Sequence, residues 1–192
     1  MPISMYNVTL LMWCLKSILH LQNMAFRTEQ NVRVQIIAAL GSDEIFRLLS
    51  DNDSNVVMKC LGLLRNLLSN KKDIDHIMSE HGSKIMQSVV FILESDRAAE
   101  VKEQALCILG NIADGDSAKH FIMSNEDMLR KITYYMNHNN PKLQTAAVFC
   151  VQNLIYSEDD GYLERQQKMR EIGVYKMMQS LLSTTDSQLY EK

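Results

Sequence analysis

Four cysteines and five histidines are the residues from which thiol catalysis or a zinc site would be built in this 192-residue chain. Cys14, Cys60, Cys107 and Cys150 lie 46, 47 and 43 residues apart, so there is no CxxC pair, and no histidine sits beside two of them at a zinc-ligand spacing. His76 and His81 are five residues apart, off the i, i+4 face that a helical metal pair needs. GxGxxG, Walker A, HExxH and GxSxG patterns are all missing. Gly115-Asp116-Ser117 has the form of a hydrolase Gly-Asp-Ser block, but no oxyanion motif accompanies it and Ser117 reads as a helix N-cap. The expectation is a chain that is not an enzyme and uses no metal, cofactor or small-molecule substrate.

The elements that carry these residues follow from composition. Apolar residues make up 46% and charged residues 22%, the balance of a chain with one substantial core. Only seven Gly and two Pro leave little turn chemistry for the hairpins of a β fold, and aromatics at 7% are also few, so an all-α fold is expected. A net charge of −3 with both signs scattered gives no basic footprint for nucleic acid. Leu10 to Leu15 and Val89 to Leu93 fall far short of the ~20 apolar residues of a membrane span.

Cysteine spacings in the forties prompt a search for internal repeats. The segments 56–68, 101–113 and 143–155 align on Asn66, Asn111 and Asn153, which are 45 and 42 residues apart. Numbered from each asparagine, positions −10, −6, −3 and +1 are Val56, Cys60, Leu63 and Leu67, then Val101, Ala105, Ile108 and Ile112, then Leu143, Ala147, Cys150 and Leu154. Steps of four, three and four mark a helix, and the width of its apolar stripe suits a helix packed between neighbours in a stack. A copy near the N-terminus fits with Ser17 at the asparagine position, giving Leu11, Met12, Cys14, Leu15, Ile18 and Leu19 at apolar offsets.

A second helix precedes each of these: Gly41 introduces Ile45 to Leu49, Gly82 introduces Ile85 to Leu93, Asp127 introduces Met128 to Met136, and Gly173 introduces Val174 to Leu182. A first, shorter helix is expected at Thr28 to Leu40, Ile74 to Ser79, Ala118 to Ser124 and Leu163 to Ile172. Polar tracts at 51–54, 95–96 and 137–141 supply caps, with Pro141 at the first helical position after Asn140. Ser157 and Asp160 read as a capping box opening the last first helix. The units expected are 1–20, the third helix of a truncated repeat; 28–69, 70–113 and 114–156, full repeats; and 157–192, an incomplete repeat, together forming part of a longer array.

Three helices in about 42 residues, with Leu64-Arg65-Asn66-Leu67, Leu109-Gly110-Asn111-Ile112 and Val151-Gln152-Asn153-Leu154 near their ends, resemble the armadillo repeat. The resemblance covers the chain end to end and implies a right-handed α-solenoid with three helices per repeat. Within that family the stretch Asp127-Met128-Leu129-Arg130-Lys131-Ile132, Tyr135-Met136-Asn137-His138, Ala146-Ala147-Val148-Phe149-Cys150, Asn153-Leu154-Ile155, Glu164-Arg165-Gln166 and Gly173 resembles the armadillo-repeat subunits of GID/CTLH-type E3 ubiquitin ligases. That implies a scaffold holding a substrate receptor to the ligase's scaffold and RING subunits, in cytoplasm and nucleus. A nuclear-import-type adaptor is the alternative, but it would need repeated Trp-x-x-x-Asn pairs, and the single Trp13 is paired with Ser17.

The asparagines are the candidate binding residues. Asn is a poorer helix former than Ala by about 0.6 kcal/mol, so its recurrence at one position suggests a task an apolar side chain cannot perform. An amide both donates and accepts, so a row of them can bracket the backbone of an extended peptide; a structural hydrogen bond to the adjoining turn is the alternative. The groove expected from this register is lined by Trp13, Ser17, Lys59, Asn66, Gln104, Asn111, Phe149 and Asn153. Trp13 and Phe149 would offer apolar contact, and Lys59 with Arg65 and Lys102 nearby would favour an acidic residue or a C-terminal carboxylate.

Overall fold

The computed structural model describes residues 16–26 and 30–183, and among these every regular element is helical. Helix α1 covers 16–25. It is followed by α2 (Gln30–Leu40), α3 (Ser42–Leu49), α4 (Ser54–Leu67), α5 (Lys71–Glu94), α6 (Ala99–Asp114), α7 (His120–Met123), α8 (Glu126–Met136), α9 (Pro141–Leu154), α10 (Tyr162–Glu171) and α11 (Val174–Ser183). The third helices form one continuous row, α4 packing on α6 and α6 on α9, while α3, α5 and α8 close the other side against α4, α6 and α9. All the apolar stripe positions of α4, α6 and α9 named above are at most 2% exposed, so one core runs through the stack.

Local chemistry sets the helix ends. Asp53 and Asn140 accept from backbone N–H groups of α4 and α9, with Pro141 at the first helical position of α9. Gly41 and Gly173 hold φ of 78° and 84°, the left-handed region that glycine enters without steric cost, and they form the turns before α3 and α11.

Gly82 behaves differently, and here the expected break between a first and a second helix is corrected. It lies inside α5, a single 24-residue helix that replaces two of the three helices of its repeat. A Cβ on Gly82 would lie 2.6 Å from Cζ of Phe121. The glycine admits the ring of the next repeat rather than turning the chain. The end of the array differs as well: α10 starts at Tyr162 behind Gly161, which has no side-chain cap. The expected Ser157–Asp160 box is therefore not used.

Polar contacts about 40 residues apart stitch neighbouring repeats along one edge. Arg33, 7% exposed, donates to Asp73 at 2.8 Å and to the Ala25 carbonyl at 3.1 Å, and Asp73 is fully buried. Asp75 accepts from the backbone N–H groups of Asp116, Ser117 and Ala118. The backbone N–H of Ser117 is thus satisfied by an acid of the preceding repeat, and Ser117 is not the expected N-cap: α7 begins at His120 behind Lys119 with no side-chain cap. Lys119, 3% exposed, pairs with Asp159, which also accepts from Lys71 at 3.1 Å.

Candidate functional site

Each of the three asparagines makes the same hydrogen bond. Asn66 donates its side-chain N–H to the carbonyl of Gln22 at 2.9 Å, Asn111 to that of Arg65 at 3.4 Å, and Asn153 to that of Gly110 at 3.0 Å. In every case the acceptor belongs to the preceding third helix. Arg65 and Gly110 stand one residue before Asn66 and Asn111, so the rule predicts an asparagine one residue after Gln22, and Asn23 is there.

This corrects the N-terminal register. Ser17 is not the fourth ladder position; Asn23 is, and Ser17 falls at position −6 of α1, where it is exposed. The misreading has a physical cause. In the true register Ser17 and His20 occupy positions −6 and −3, which are buried as Cys60 and Leu63, Ala105 and Ile108, and Ala147 and Cys150 in the later copies. Both are exposed in α1. A six-residue slip hides these two polar residues and places Leu11, Cys14 and Ile18 at −6, −3 and +1. Trp13 lies outside the described residues.

Side chains across each junction obey a companion rule, in which position −1 of one repeat meets position −4 of the next. Gln22 lies over Gly62, where an added Cβ would come within 2.7 Å of its Nε2. Phe149 lies over Gly110, where an added Cβ would be 2.6 Å from Cδ1 of the ring. Between them Arg65 stands by Cys107, favouring the thiolate against the burial that pushes the Cys107 thiol up. A large residue faces a small one at every junction, which lets the helices approach closely.

The remaining groove residues sort by exposure. Lys59 is exposed, and Gln104 is half-buried and accepts from Nη1 of Arg65 at 2.7 Å. Phe149 is 42% exposed, with one face on Gly110. The structure therefore brings Arg65, Gln104, Cys107, Asn111, Gly110 and Phe149 into one continuous surface centred on α6. Arg65 and Gly110 were outside the sequence-derived groove set; the signal for both was their place immediately before an asparagine. Among the described residues no three His, Cys, Asp or Glu side chains gather as a metal site, and no helix is long and apolar enough to cross a membrane.

A row of third helices tied by one asparagine per repeat defines an armadillo-repeat solenoid. In sequence it is similar to Armadillo repeat-containing protein 8: 56% identical to the Danio rerio protein and 54% to the Mus musculus protein, each over 172 residues and 90% of this chain. The chain spans 26% of the length of those two relatives. No family model matches it. Among solved structures it is similar to a designed armadillo repeat protein in complex with the peptide (KR)4, with TM-score 0.77 and 20% identity over 92% of this chain and 71% of that one. Computationally designed armadillo proteins for modular peptide recognition share the fold with TM-score 0.72 and 19% identity, over 91% of this chain and 70% of theirs.

Proposed function

We propose that this chain is a non-enzymatic protein-binding scaffold that holds an extended segment of a partner along the row formed by α1, α4, α6 and α9. The carrying observation is the repeated amide geometry. One N–H of each Asn66, Asn111 and Asn153 is spent on the preceding helix, which fixes the side chain's orientation. The second N–H and the oxygen are left to bracket a bound backbone. Half-burial of all three amides keeps them accessible to such a chain.

The more specific role follows from similarity to Armadillo repeat-containing protein 8 together with the residues shared with ligase subunits of the GID/CTLH type. The chain then serves a multi-subunit E3 ubiquitin ligase in cytoplasm and nucleus by joining the substrate receptor to the scaffold and RING module. The import-adaptor alternative finds little support, because basic cargo would meet the exposed cations Lys59 and Arg65 on α4. Affinity purification of the tagged chain followed by mass spectrometry tests the role. Recovery of RING-ligase subunits, lost on replacing Asn66, Asn111 and Asn153 by Ala, is the expected result. Recovery of import receptors alone would overturn it.

A further inference from the structure

Resting on the reading of the third-helix row as a groove, we infer that the bound segment carries an Asp or Glu side chain and a large apolar side chain about three residues apart, read by Arg65 and Phe149 on either side of Asn111. Arg65 is exposed, gives Nη1 to the neutral amide of Gln104, and has no carboxylate partner within ion-pair distance among the described residues. Its remaining guanidinium N–H groups suit the fork geometry of a carboxylate. Phe149 covers Gly110 with one face and remains 42% exposed, so it offers an apolar contact on the solvent side.

The spacing follows from where the two residues stand. Arg65 reaches from α4 to Gln104 on one flank of α6, and Phe149 reaches from α9 to Gly110 on the other. One helix lies between them, about 9 Å across. An extended chain rises ~3.3 Å per residue, so about three residues separate the two contacts, with Asn111 holding the backbone between them. Other charges share this surface. Glu103 on α6, whose charge acts on Cys107 beside Arg65, discourages a second acid there. A side-chain carboxylate fits better than a chain terminus, because a chain ending at Arg65 would leave the asparagines on one side of it with no backbone to hold.

The test pans a random 12-residue phage-displayed peptide library on the immobilised full chain and measures labelled synthetic peptides by fluorescence anisotropy. The expected consensus places Asp or Glu two to four residues from Leu, Ile, Met or Phe. Replacing that acid by its amide should weaken binding about tenfold to the native chain, but less than twofold to Arg65→Gln. Replacing the apolar residue by Ala should matter only when Phe149 is present, as judged with Phe149→Ala. A basic or unpatterned consensus, or acid dependence that persists in Arg65→Gln, would overturn the inference. If Asn111→Ala abolishes binding of peptides that lack both features, the inference fails and the groove stands. If selected peptides bind the triple Asn→Ala variant normally, or none is enriched, the groove reading falls with it. Circular dichroism of each variant separates lost binding from lost fold.

Discussion

Asn153 donates its side-chain amide to the Gly110 carbonyl at 3.0 Å, and Phe149, one turn earlier on the same helix as Asn153, covers the Cα of that glycine with its ring. A polar tie and a close apolar contact thus share one residue. The junction between α6 and α9 depends on Gly110 having no side chain, and that dependence is measurable.

Gly110→Ala sets two effects against each other. Alanine is the better helix former by about 1 kcal/mol. Forcing the Phe149 ring aside costs about 1–3 kcal/mol. Urea denaturation should show net destabilisation by about 1 kcal/mol in the native background. With Phe149→Ala already present the sign should reverse, because the obstruction is gone and only helix propensity remains.

Replacing Asn66, Asn111 and Asn153 together by Ala should both loosen the stack and weaken binding. Each lost hydrogen bond costs about 0.5–1.5 kcal/mol, offset by about 0.6 kcal/mol of helix propensity. A net loss of about 1–2 kcal/mol by denaturant titration is expected, with partner affinity falling roughly 100-fold if each amide supplies about 1 kcal/mol to the bound backbone. A gain of about 2 kcal/mol, the helix-propensity effect alone, would mean that the ties to Gln22, Arg65 and Gly110 contribute nothing in solution.

Asp159 predicts a pH dependence. Burial raises its pKa, but hydrogen bonds from Lys119 and Lys71 outweigh burial and hold the carboxyl below its ordinary value. A carboxylate with a depressed folded pKa contributes stability that is complete above the unfolded value of about 3.9 and lost as pH falls through the folded one. Urea midpoints measured from pH 7 to pH 3 should fall at the acid end, and less steeply in Asp159→Asn. That variant leaves buried Lys119 without its carboxylate and should already cost about 3 kcal/mol at pH 7.

Leu64 and Leu109, each at most 1% exposed, serve as references for the core of the stack. Either one changed to Ala should cost about 2–5 kcal/mol through the cavity left behind, with no effect on binding beyond that of the unfolded fraction. Calorimetric melting alongside the peptide assay separates such a variant from one in the ladder.

The chain's helices, its period and its ladder were legible in the residues themselves. Apolar offsets of −10, −6, −3 and +1 recur because every third helix buries the same stripe, and caps such as Asp53 and Asn140 act within one turn of their own position. Three decisions belonged to the tertiary structure. Gly82 continues α5 because Phe121, from the next repeat, needs its bare Cα. Asn23 rather than Ser17 heads the ladder because Gln22 is the residue whose carbonyl receives Asn66. The pairs Arg33–Asp73 and Lys119–Asp159 join residues 40 positions apart. In each case the deciding partner lies in the neighbouring repeat, and periodicity specifies which way a side chain faces within its own helix but not which group of the adjacent helix comes within hydrogen-bonding or packing distance of it.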